Sequence, residues 1–108
     1  MNNNIFEACM NEHNKIDGSN YANWKFKMQT LLEAQSAWKI VNGDELRPTA
    51  RSTSISDWEK RERRARKMLK MSVKYCIIPH IREGKSANEI WGILKELYEI
   101  RSSSISQE

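Results

Sequence analysis

Two cysteine–histidine pairs share one spacing: Cys9 with His13, and Cys76 with His80, each as C-x₃-H. Four such ligands form the donor set of a tetrahedral zinc site. Their surroundings argue against one. Cys76 falls on the inner face of a helical pattern, where a free cysteine packs as a small apolar residue. Pro79 spoils the helical geometry that would bring Cys76 and His80 together, and Cys9 lies in a polar, Asn-rich segment without periodicity. No metal and no other cofactor is assigned. Other reactive constellations are missing too. The glycines Gly18, Gly43, Gly84 and Gly92 are scattered, so no phosphate-cradling loop forms. Neither a nucleophile elbow nor a His-Glu-x-x-His motif occurs. Asp17, Glu89 and Glu99 read as cap and surface groups, not as an acid/base pair. No catalytic residue and no small-molecule substrate is expected.

The clearest electrostatic feature is the cluster Lys60-Arg61-Arg63-Arg64-Arg66-Lys67, followed by Lys70 and Lys74. One reading is a helix face that meets RNA or DNA phosphates by charge alone, through Arg63, Arg64, Lys67, Lys70 and Lys74. The other, more common in helices of this length, is a solvated outer face partly balanced by Glu59 and Glu62. Aromatic residues do not interleave with these charges as they would on a stacking platform for single strands.

The elements that carry these residues are helical. The chain has 108 residues, enough for one core, with 39% hydrophobic and 30% charged residues and a net charge of +4. Its mean hydropathy is −0.76. No apolar run reaches the ~20 residues of a membrane helix. No secretory signal is visible, so free thiols and a cytoplasmic location are expected. Residues 1–15 read as a flexible arm, or as carrying a short helix over residues 5–10 that docks on the body, and 100–108 as a polar tail. A turn at Ile16–Asn20, with Ser19 or Asn20 as cap, leads into a helix whose stripe is Tyr21, Trp24, Met28, Leu31 and Leu32, with Phe26 pointing outward. A short apolar piece at 37–41 stops at Gly43, and 44–55 read as an exposed loop. Ser56 and Glu59 form a capping box that opens the longest helix. Trp58, Ala65, Leu69, Val73 and Cys76 line its inner face, and Pro79 ends or kinks it. A second capping box, Ser86 to Glu89, starts a last helix with the stripe Ala87, Ile90, Trp91, Leu94, Leu97 and Tyr98. Nothing alternates with period two. The expected fold is all-α, a small orthogonal or antiparallel bundle of four or five helices.

The order of residues carries further information. Ile16-Asp17-Gly18-Ser19-Asn20-Tyr21-Ala22-Asn23-Trp24, then Met28, and later Trp38, Val41 and Gly43, match an apolar residue followed by x-G-x-N-Y/F-x-x-W, a Met at the next turn, and W-x-x-V-x-G. Trp58, Ala65 and Ser72 match a long middle helix, and residues 86–99 match a T/S-A-x-E-x-W-x-x-L-x-x-x-Y-E block. Over residues 16–99 the chain resembles the N-terminal, capsid-forming part of the Gag polyprotein of copia-type LTR retrotransposons. The resemblance implies a non-enzymatic helical domain whose copies pack into particles around the element's RNA. It also implies that Gly18, Tyr21, Trp24, Trp38, Trp58, Trp91 and Tyr98 are fold determinants. In that family Gag continues into a second helical domain and a CCHC zinc knuckle. Neither lies in these 108 residues, which implies a truncated or domesticated copy, or a fragment.

The expected partners are further copies of itself or full-length Gag, with non-specific RNA contact as a secondary role and no membrane. Phe26, Met68, Met71 and Ile93 are the candidate self-association residues, as exposed or flanking apolar groups. Two alternatives stand beside this reading: a nucleic-acid module using the 60–74 face, and a domesticated domain that binds another protein.

Overall fold

The computed structural model describes residues 15–16, 20–49 and 53–100, and among these it contains helices and no strand. Among the described residues there are five α-helices: α1 (Tyr21–Ala34), α2 (Trp38–Val41), α3 (Thr53–Met71), α4 (Ile78–Ile81) and α5 (Ala87–Lys95). Helix α1 buries Trp24, Met28, Leu31 and Leu32, which recur every three or four residues and so share one face. The Asn20 side chain does not cap α1; its amide donates to the Lys15 carbonyl at 2.9 Å and ties down the preceding chain. Ser19, the other expected cap, and Gly18 lie outside the described residues.

Helix α1 ends in a tight turn in which Ser36 adopts a left-handed φ of 58°. The Ala37 amide closes it by donating to the Leu32 carbonyl at 2.8 Å. Helix α2 buries Ile40 and Val41 and stops at Gly43, whose φ of 93° suits a residue without a side chain.

Helix α3 differs from expectation at both ends. It is already helical at Thr53, so Ser56 lies within its first turn instead of capping it. Glu59 binds Arg47 at 2.8 Å, and Trp58 Nε1 donates to the Glu45 carbonyl at 3.0 Å. These links to the preceding loop hold the extra turn in place. At the other end α3 stops at Met71, well short of Pro79. The Ser72 hydroxyl donates to the Leu69 carbonyl, competing with the helix ladder. Val73 then pairs in a single parallel bridge with Ile16: the Ile16 amide donates to the Ser72 carbonyl at 2.9 Å, and the Lys74 amide to the Ile16 carbonyl at 3.2 Å. Val73 is buried as expected, but through this bridge. Cys76 is exposed in a 3₁₀ turn, not on an inner helix face. Pro79 is the second residue of the short helix α4, in a first turn where its missing N–H is no loss, instead of ending a long helix.

Gly84 is enclosed: a Cβ there would sit 2.7 Å from Ile90 Cγ1, so this position admits no larger residue without a shift. Helix α5 begins as its sequence predicts, with Ser86 Oγ accepting the Glu89 amide at 3.1 Å. The Glu89 carboxylate reaches back one residue further than a capping box requires, to the Lys85 amide at 2.8 Å. Helix α5 buries Ala87, Ile90, Trp91 and Leu94 and runs into a π-helical turn, Glu96–Ile100. The core joins these residues to those of α1, to Val41 of α2, to Ala65, Met68 and Leu69 of α3, and to Ile16.

Candidate functional site

Five of the aromatic residues in the recurring pattern meet in one stack. Tyr98 lies 5.3 Å from Tyr21 between ring centres, Tyr21 lies 6.0 Å from Trp24, and Trp24 lies 5.6 Å from Trp91. Trp38 then meets Trp91 edge-on at 5.1 Å. The stack binds α1, α2, α5 and the π-turn, and each such pair contributes about 0.5–1.5 kcal/mol beyond its buried area. Trp58 stands apart, half-buried at the α3 start.

Polar ties join the same elements. The Tyr21 hydroxyl donates to Glu99 Oε2 at 2.7 Å, and Lys25 pairs with the same oxygen. Lys25, and then Tyr21, hold the Glu99 carboxyl below its ordinary value. Burial, reinforced by Glu99, pushes the Tyr21 hydroxyl up. The Asn88 amide donates to the Val41 carbonyl at 2.7 Å, which lets α5 satisfy the end of α2. Glu62, on α3, is buried, and its carboxylate accepts the Ala87 amide at 2.7 Å and binds Arg66 at 3.1 Å.

Arg61 forks onto both carboxylate oxygens of Glu45, at 2.6 and 3.0 Å. It also donates to Asp57 at 3.0 Å and to the Ser36 carbonyl at 2.7 Å. Arg61 therefore holds the strained α1–α2 turn and lowers the Glu45 carboxyl. Neither Arg61 nor Glu62 stands out in the sequence, where both read as members of a charged run. Asp57 and Arg66 are i,i+4 partners, but Ser36, Glu45 and Ala87 are distant in the chain, and no local pattern reports them.

Arg63, Arg64, Lys67 and Lys70 are exposed along α3. Lys74 leaves their row because α3 ends before it; it is half-buried beside the Ile16 bridge. Of the apolar candidates, Phe26 is 74% and Met71 45% exposed. Met68, at 3%, is core, contrary to the expectation that it is exposed or flanking, because it sits one residue before Leu69 on the buried side of α3. Ile93 packs against the same core.

Cys9 and His13 lie outside the described residues, and among those described no group of three or more His, Cys, Asp or Glu residues could hold a metal ion. No helix among the described residues is long and apolar enough to cross a membrane.

Comparison with curated proteins and with solved structures gives no significant match. The family model described as gag-polypeptide of LTR copia-type matches residues 28–105. That stretch holds Trp38, Trp58, Trp91 and Tyr98, while Tyr21 and Trp24 precede it and join its aromatic stack. A helical bundle built on these aromatics, matched over most of its length, belongs to the gag-polypeptide family of LTR copia-type elements.

Proposed function

We propose that the chain is a non-catalytic, structural Gag module that works in the cytoplasm by associating with copies of itself or with full-length Gag into particle-like assemblies. The observation that carries this reading is the family match over residues 28–105. Two exposed apolar side chains on separate helices support it. Phe26 on α1 and Met71 at the end of α3 have no part in the core, and a repeating contact between copies would cover them. Met68 and Ile93 serve the interior and are not part of the proposed contact.

The test is light scattering on nucleic-acid-free protein over a concentration series. The mass of the native chain is expected to grow with concentration. In the Phe26→Asp, Met71→Asp double variant it is expected to stay at one chain while the helical circular dichroism is retained. A native chain that stays monomeric at the highest concentration, or a double variant that associates undiminished, overturns the proposal.

A further inference from the structure

Helix α3 carries seven cations against three acids, so its net +4 equals the net charge of the whole chain. All three acids are engaged. Asp57 binds Arg61, Glu59 binds Arg47, and Glu62 is shared between Arg66 and the Ala87 amide. No carboxylate among the described residues pairs with Arg63, Lys67 or Lys70. These three recur at four- and three-residue spacing and so form one row along the helix. At ~1.5 Å rise per residue they stand about 6 Å and about 4.5 Å apart along the axis. Both separations are shorter than the Debye length of ~8 Å at physiological ionic strength, so their potentials add. Together with Arg66 and Met71 they line an open concavity.

We propose that this row is a docking surface for the phosphate backbone of a nucleic acid, held by charge and without base readout. The regular spacing of uncompensated cations matches a polymer of regularly spaced anions. A lipid surface fits less well, because the most exposed large apolar residues, Phe26 and Leu46, belong to α1 and to the loop after α2, and not to this row. No aromatic residue lies along the row, so bases have nothing to stack on. The inference differs from self-association in its ligand and in the three residues its test replaces; Met71 alone borders both surfaces.

The experiment measures fluorescence anisotropy of labelled oligouridine RNA, and of a short DNA duplex, across a salt series. The affinity of the native chain for the single strand is expected to fall with salt with a logarithmic slope of about −2, from three phosphate contacts at ~0.7 each. The variant Arg63→Gln, Lys67→Gln, Lys70→Gln is expected to bind at least about tenfold more weakly at low salt, with a flattened slope. A control with the same loss of charge at exposed Lys27, Arg82 and Lys85 is expected to stay within about threefold of the native chain. The ratio of RNA to DNA affinity identifies which backbone the row prefers. Equal losses in the two variants, or no binding by the native chain at low salt, overturns the proposal. So does a row variant that changes the scattering mass of the protein while RNA binding stays intact, which makes the row a contact between copies.

Discussion

Glu62 is 7% exposed within a run of basic residues, and its environment explains why a carboxylate is stable there. It sits against the N-terminus of α5, where the Ala87 amide donates to it, the helix dipole favours negative charge, and Arg66 supplies a counter-ion. Replacing it with alanine leaves that amide buried without its acceptor. Glu62→Ala is expected to lose about 1–3 kcal/mol in urea unfolding, whereas Glu62→Gln keeps an acceptor and retains most of the stability. A loss below about 0.5 kcal/mol in the alanine variant would show that the bond contributes little. The sequence places Glu62 correctly on α3 but conceals its role, because Ala87 lies 25 residues further along the chain.

At the scale of elements, the π-turn after α5 depends on contacts with α1. Glu99 receives Tyr21 and Lys25 there, and its carboxyl is held below the ordinary 4.5. A lowered value in the folded state means that unfolding takes up a proton. The stabilisation is complete above the unfolded carboxyl value and is lost as pH falls through the folded one. The melting temperature is therefore expected to fall on acidification below about pH 4.5, and to fall less steeply in Glu99→Gln. Glu45, lowered by Arg61, keeps part of the dependence in that variant. Parallel curves for the two proteins would remove Glu99 from this account. Elements set by local pattern were legible: the α1 stripe, the Gly43 stop and the Ser86 cap all stand where the residues put them. The ends of α3 were not, because Arg47, Glu45 and Ile16 set them from outside the helix.

For the whole molecule, Trp91 is the junction of the aromatic stack, touching Trp24 on α1 and Trp38 on α2. Truncating a buried Trp removes about 3–5 kcal/mol, a large share of the roughly 5–15 kcal/mol that small domains possess. Trp91→Ala is expected to lower the melting temperature by at least about 12 °C, at ~4 °C or more per kcal/mol. Its fluorescence and circular dichroism are expected to change together, since one core serves all the helices. A shift under about 5 °C would mean that the stack is dispensable.

Periodicity, caps and glycine positions determined that the chain is helical, where α1, α2 and α5 lie, and which aromatic residues belong inside. Those signals act over a few residues, through side-chain direction and backbone geometry, and are therefore written locally. Only the tertiary structure decided that Met68 is core and Cys76 exposed, that Arg61 locks the turn at Ser36, and that Glu62 closes α5. It also decided which cations of α3 are neutralised and which are left to the solvent. Apart from the i,i+4 pairs Arg61–Asp57 and Arg66–Glu62, these contacts join parts of the chain far apart in sequence, and charge pairing and burial follow distance in space, not order in sequence.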